Sequence, residues 1–269
     1  MRKHWLTAAL HAALALATAV VLYPVLWIVK IALTNDPSAS LASGDPSLSP
    51  TVALLSGRFS RALVVSAIVS LAATLLGLVF ATTGAFALSR LRFSGRAVSL
   101  RALLLTQMFP SLLMSVPLYL ILKWLGLLGT LSGLVIVYST VSVPFCVWML
   151  KGFFDALPTA LDEAAKLDGA SELQIFRRVA LPLVRPGIAV TGLYAFMGAW
   201  NEYILAATFL SRDESYTAPV VLKSLVNDFG AAWGEFAAGS LIVSVPVMLV
   251  FFVLERHLVS GLVQGGVKE

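Results

Sequence analysis

Apolar residues in this chain come in long runs rather than in stripes. Six runs, at about 9–33, 62–88, 102–122, 128–150, 187–210 and 238–256, carry few charges. Each reaches or approaches the roughly 20 apolar residues that a helix needs to cross a bilayer. Backbone inside lipid must satisfy its own hydrogen bonds, so runs of this kind predict helices. A membrane β-barrel would show short segments of alternating polarity instead, and the sequence contains none. No strand pattern, internal repeat or soluble domain is visible. The pattern predicts an all-α membrane protein with six spans in a single domain over 1–269. Pro24, Pro110, Pro117, Pro144 and Pro246 fall within the runs. Proline bends a membrane helix and frees carbonyls that neighbours must satisfy. These kinks fit either a purely structural role or the wall of a translocation path.

Three of the five segments between the runs stand out. Residues 34–51 are Pro/Ser-rich and irregular in pattern. Residues 211–235 are polar, with Tyr216, Pro219, Phe229 and Trp233 spread through them. The third, 157–182, is a charged island of helical character.

Composition supports the membrane reading. The chain of 269 residues is 59% hydrophobic and 12% charged, with a mean hydropathy of +0.91. Soluble domains carry about 25% charged residues. The net charge of +5 gives no reason to expect nucleic acid, because the basic residues have a topological explanation. With the N-terminus inside, 13 of the 19 Lys and Arg fall on the cytoplasmic side. That bias and the even number of spans place both termini in the cytoplasm. The opening run resembles a signal peptide, but it continues to Leu33, far beyond the roughly 7–15 residues of a signal h-region. It reads as an uncleaved first helix. Cys146 lies in an apolar run and suits packing.

The polar island specifies helix, elbow, helix. Thr159 with Asp162 resembles an N-cap and its third-position partner. Helix formers follow from Ala160 to Asp168. Gly169 stands where a helix end favours a left-handed residue. Ser171 with Gln174 forms a second capping pair, and Glu172–Ala180 continues as helix. Leu161, Ala164 and Ala165 share one face of the first helix, opposite Asp162, Glu163 and Lys166. An apolar face outside the bilayer either lies on lipid or docks into a separate protein, and the residues alone fit both.

The stretch EAAKLDGASELQIFRRVALPL, with Glu163, Ala164, Ala165, Gly169, Leu181 and Pro182 at the matching positions, resembles the EAA loop of ABC importer permeases. The resemblance runs from the first span to the end. LERHLVSGLVQGGVKE, SYTAPVV and WGEFAAGS are similar to the smaller permease subunit of maltose/maltodextrin importers, the MalG type. It implies the type I ABC importer permease fold in a bacterial cytoplasmic (inner) membrane. It implies a coupling helix that enters a cleft of the ATPase subunit, carried by Glu163, Ala164, Ala165, Leu167, Asp168 and Gly169. It implies that the outer loop, with Tyr216, Thr217, Phe229, Trp233 and Gly234, reaches an extracytoplasmic sugar-binding protein. Gln264, Gly265 and Gly266 would face the ATPase dimer. The implied partners are a second, MalF-like permease, two ATP-binding-cassette ATPases, the binding protein and membrane lipid. ATP and magnesium would sit on the ATPases, with no cofactor on this chain. In maltose importers the resolved sugar site lies mainly on the larger permease.

Absent motifs agree. No G-x-x-x-x-G-K-[ST] occurs, so the chain carries no P-loop, and no metal-ligand spacing or catalytic set is visible. Asn201 and Glu202 fall inside the fifth run, where a carboxylate costs roughly 2.5–3.5 kcal/mol on insertion scales. They fit a pathway facing a cavity or a helix–helix position near the outer end, and Gln107 is a weaker candidate of the same kind. The leading function is a non-catalytic subunit of an ATP-driven sugar importer, with maltodextrin-type oligosaccharides as cargo. Its alternatives are a secondary transporter driven by an ion gradient, which would want ionisable relays and repeats, and an intramembrane enzyme.

Overall fold

Of the five prolines in the runs, Pro24, Pro117, Pro144 and Pro246 lie inside continuous helices and Pro110 stands at a break. The computed structural model describes residues 2–34, 46–227 and 230–266, with side chains for 7, 9–34, 46–110, 112–226 and 232–255. Helices α1 (Arg2–Thr34), α2 (Ser49–Ser56), α3 (Phe59–Arg90), α4 (Arg96–Gln107), α5 (Ser111–Trp124), α6 (Leu131–Asp155) and α7 (Thr159–Leu167) come first. A short α8 (Glu172–Gln174) leads through a π-helical turn (Ile175–Ala180) and α9 (Leu181–Leu183) into α10 (Arg185–Trp200) and α11 (Ile204–Phe209). A 3-10 turn (Asp213–Ser215), α12 (Ala218–Ser224), the antiparallel pair β1 (Val226–Asn227) and β2 (Gly230–Ala231), and α13 (Trp233–Gly266) complete the chain. That minimal pair, within the segment 211–235, has no counterpart in the sequence pattern, which shows no strand.

Among the described residues, four helices are long and apolar enough to cross a membrane as single elements, over Ala9–Thr34, Phe59–Arg90, Leu131–Asp155 and Trp233–Glu255. The other two predicted spans are interrupted. The run at 102–122 is split at Met108–Pro110, and α4 and α5 meet at 108°. Pro110 offers no backbone N–H and stands as N-cap of α5 with ψ 132°. The segment Glu172–Leu183 meets α10 at 77° near Val184, between Pro182 and Pro186. The run at 187–210 is broken again at Asn201–Tyr203, between α10 and α11.

The chain forms two compact units. In the one comprising residues 1–61 and 221–246, Leu54, Leu222 and Gly239 pack together. A Cβ on Gly239 would lie 2.6 Å from Leu222 Cδ2, so a side chain there would displace the leucine. Arg58 Nη2 donates to Ser224 Oγ at 2.6 Å.

The other unit, 62–220 with 247–269, holds two apolar clusters. One joins Ala81, Ala85 and Phe86 of α3 to Cys146, Leu150 and Phe154 of α6, and to Ile175 and Ala180 of the π-turn. Phe86 meets Phe154 edge-on at 5.7 Å and Phe176 at 5.0 Å. Cys146 is fully buried here, as its surroundings in the sequence lead one to expect. The second joins Val65, Val69 and Ala73 of α3 to Leu134 and Val137 of α6 and to Leu205, Ala206 and Phe209 of α11. Between the clusters α3 and α6 touch through small residues. Gly77 would bring a Cβ within 3.1 Å of Ser142 Oγ, and Ser139 Oγ donates to the Ala73 carbonyl at 3.1 Å. Apolar area drives no helix association in lipid, so such close contacts and interhelical hydrogen bonds carry it.

Helix α3 also sets the two ends of this unit. Near its start, Ser66 Oγ accepts a bond at 2.8 Å from the Ala218 N–H at the start of α12. At its other end stands Arg90, which touches α7. The 24 residues between Ser66 and Arg90 rise about 36 Å at 1.5 Å each, more than the roughly 30 Å of a hydrocarbon core.

Candidate functional site

Arg90, the last residue of α3, fixes α7. Its Nη2 donates to the Leu157 carbonyl at 2.7 Å, and its Nε lies 2.8 Å from Asp162 Oδ2. Both side chains are largely shielded, at 9% and 14% exposure. Ser89 Oγ donates to Asp155 Oδ1 at 2.5 Å, and Lys151 pairs with the same carboxylate. The end of α6 is thereby tied to the end of α3 just before α7 begins.

The predicted capping of α7 by Thr159 is not what the structure holds. Pro158 is the N-cap, with φ −58° and ψ 131° and no side-chain cap bond, and Thr159 is the first helical residue. Asp162 turns to the Arg90 guanidinium, a charged partner stronger than a backbone amide. The far end of α7 agrees with the sequence. Gly169 has φ +82°. Its N–H bonds the Lys166 carbonyl at 3.0 Å, and the Ala170 N–H bonds Ala165 at 2.9 Å. That pair of bonds is a Schellman motif. Ser171 and Gln174 form the predicted capping box. Glu172–Ala180 is helical but not α throughout, since Ile175–Ala180 is π-helical. Pro182 supplies no N–H to the turn below it, and the wider turn relieves the ring's clash.

The outward face of α7 differs from the expected one by a residue. Ala165 is half-buried against its own unit's core, with Ala170 and Leu157. Leu161 is 41% exposed and Leu167 is 90% exposed, with Glu163, Ala164, Asp168 and Gly169 also exposed. The presented surface is thus 160, 161, 164 and 167–168, with Glu163 and Lys166 at its edge. Lys166 Nζ lies 2.6 Å from Glu172 Oε1 across the elbow. A cleft of about 870 Å³ runs beside this helix, bordered by Arg90, Arg92, Arg96, Asp162 and Glu163.

Asn201 and Glu202 meet at the break after α10. Asn201 Nδ2 donates to the Met197 carbonyl at 2.9 Å. Glu202 Oε1 accepts from the Leu205 N–H at 2.8 Å, and Oε2 from the Ala206 N–H at 3.0 Å. Tyr138 OH of α6 donates to the same Oε2 at 2.8 Å. A helix start leaves backbone donors without partners, which lipid cannot supply. The carboxylate satisfies two of them and anchors the break to α6. The same carboxylate lines a hollow of about 150 Å³ with Gln107 and Tyr194.

The outer-loop residues are dispersed. Tyr216 packs partly against the second cluster, Thr217 is 3% exposed, and Gly234 is buried. Trp233 is 43% exposed, and Phe229 lies outside the described residues. Gln264, Gly265 and Gly266 close α13, and their side chains lie outside the described residues. Sequence reasoning missed Arg90. Its only signal was an arginine at the end of an apolar run, indistinguishable from any cytoplasmic basic residue.

Residues 73–259 match the family described as binding-protein-dependent transport system inner membrane component. The chain belongs to that family. The matched region includes the whole of α7 and the broken span at Asn201. The permease is 36% identical over 263 residues to the galactooligosaccharides transport system permease protein GanQ of Bacillus subtilis, covering 95% of this chain and 93% of that one. It is 34% identical over 282 residues to the maltose/maltodextrin transport system permease protein MalG of Vibrio vulnificus, covering 97% and 95%. In fold it is similar to a subunit of a crystallised bacterial ABC transporter involved in the import of the acidic polysaccharide alginate. That match has a TM-score of 0.80 at 23% identity, covering 95% of this chain and 98% of that chain. The fold is the type I ABC importer permease fold, and the permease is a multi-pass inner-membrane subunit without catalysis of its own. Membership sets aside the ion-gradient and intramembrane-enzyme readings.

Proposed function

We propose that this permease is one of two membrane subunits of an ATP-driven importer of neutral oligosaccharides, maltodextrin-type sugars among them. It works with a second, MalF-like permease, a pair of ATP-binding-cassette ATPases that hold ATP and magnesium, and an extracytoplasmic sugar-binding protein. Both termini lie in the cytoplasm, on the side of α7. The observation that carries the reading is α7 itself. It is an apolar peg with Leu167 almost fully exposed, fixed to the end of α3 by Arg90 and stopped by a left-handed glycine. Exposed leucine on a rigid helix beyond the membrane suits a cleft in another protein.

In this mechanism, closure of the ATPases on ATP displaces α7. The Arg90–Asp162 pair and the Arg90–Leu157 bond pass the displacement to α3, and the π-turn passes it to α10. The spans then turn from inward-open to outward-open while the outer loop at 211–235 helps to strip sugar from the binding protein. The tail at Gln264, Gly265 and Gly266 faces the ATPases. Relatives named for different oligosaccharides support the substrate class and leave maltodextrin as one member of it.

The test is purification of the tagged permease from its native membrane in mild detergent. An ATPase and a second permease co-purify with the wild type, and Glu163→Lys loses the ATPase while keeping the second permease. Recovery of the permease without an ATPase refutes the proposal.

A further inference from the structure

The hollow between α4, α6, α10 and α11 is built differently from a packing defect. Small residues line part of it: Ser142, Ala195, Ala199 and Gly198. A Cβ on Gly198 would meet nothing within 4 Å, so glycine here leaves space open rather than permitting a close approach. One wall is aromatic, with Phe145 and Tyr194 ring centroids 4.2 Å apart and tilted by 32°. The lining also has polar groups: Gln107, the Tyr138 hydroxyl and the Glu202 carboxylate. A second hollow of about 320 Å³ adjoins it and shares Gln107 and Val141.

Gln107 is exposed and Tyr194 is 46% exposed, both on segments that lie at membrane depth. An amide without a hydrogen-bond partner in hydrocarbon costs on the order of several kcal/mol. This mouth is therefore built to meet something polar rather than lipid tails. A pyranose ring has an apolar C–H face and a rim of hydroxyls, which matches a lining that combines aromatic rings with donors and acceptors. Glu202 Oε1 accepts one bond, from the Leu205 N–H, and keeps capacity for a hydroxyl donor. The lining contains no cation and one carboxylate, so it disfavours anionic sugars.

We infer that this hollow receives one neutral pyranose ring of an oligosaccharide in transit, with the adjoining hollow taking the next residue of the chain. Tyr194 and Phe145 meet the C–H face, and Gln107 and Glu202 meet the hydroxyls. The inference rests on the importer reading and adds to it a cargo contact on this subunit.

The experiment uses the complete reconstituted transporter in proteoliposomes with its binding protein. Maltotriose and galactotriose are offered, and a diazirine derivative of whichever accumulates is photolysed during turnover. The expected label falls within 138–145 or 194–202. Gly198→Leu, whose Cβ enters open space, and Tyr194→Ala each lower labelling and uptake about tenfold, a loss near 1.4 kcal/mol. Labelling confined to the partner permease, or uptake unchanged in both variants, overturns the inference alone. Accumulation of neither sugar by an assembled transporter overturns the importer reading beneath it.

Discussion

Gly169 offers a clean test of whether the geometry of the elbow transmits force. Its φ of +82° lies in the left-handed region, and a Cβ there would touch nothing within 4 Å. A Cβ at this position therefore adds no clash, and its cost is conformational. An L-residue forced into this region loses roughly 1–2 kcal/mol, and a β-branched valine lies at or beyond the upper end. At 1.4 kcal/mol per decade, Gly169→Val should depopulate the ordered elbow by about 30-fold or more relative to its opened forms. Asparagine tolerates the left-handed region, so Gly169→Asn should retain most of it. Two readouts follow. Hydrogen exchange at the Gly169 and Ala170 amides, which bond Lys166 and Ala165, should quicken by that factor in the valine variant and little in the asparagine variant. In proteoliposomes, sugar delivered per ATP hydrolysed should fall for valine and hold for asparagine. Equal exchange and equal coupling in the two variants would refute the conformational argument, and loss in both would point to an intolerance of any side chain at the docked surface.

Other outcomes follow from the same contacts. Arg90→Ala leaves Asp162 shielded without its partner, which should cost about 3 kcal/mol locally and open 156–170 to limited proteolysis; an unchanged cleavage rate would show that α7 is held by packing alone. Glu202→Ala removes the acceptor of two amides and of Tyr138, so thermal unfolding in detergent should show a larger loss than Tyr138→Phe, which removes one bond of about 1 kcal/mol; the reverse order would contradict the anchoring role of the carboxylate. Gly239→Leu should destabilise by roughly 1–3 kcal/mol through overpacking against Leu222, read as lower yield and thermal midpoint, whereas Gly198→Leu should leave the midpoint in place.

Much of the site was legible because local rules govern it. The elbow at Gly169 and the capping box at Ser171 and Gln174 use contacts between residues a few positions apart, which spacing reveals. Thr159 misled because Pro158 took the cap and Asp162 had a stronger partner 72 positions away, at Arg90. Ala165 misled because helical periodicity gives the faces of a helix without saying which one its own protein covers. Glu202 was visible as an unusual carboxylate in an apolar run, yet its bonds to Leu205, Ala206 and Tyr138 depend on a break that hydropathy does not mark.

The sequence by itself determined that the chain lives in a membrane, how many apolar runs it carries, and where a polar helix–elbow–helix interrupts them. Those follow from solvation and short-range backbone preferences, which act on neighbours along the chain. Tertiary structure decided which runs stay straight, which face of α7 is presented, and which arginine holds it. It also gathered Gln107, Tyr138, Tyr194 and Glu202 around one hollow. These depend on side chains brought together from distant positions, where a proline's missing donor or a carboxylate's choice of partner is settled by what else lies within reach.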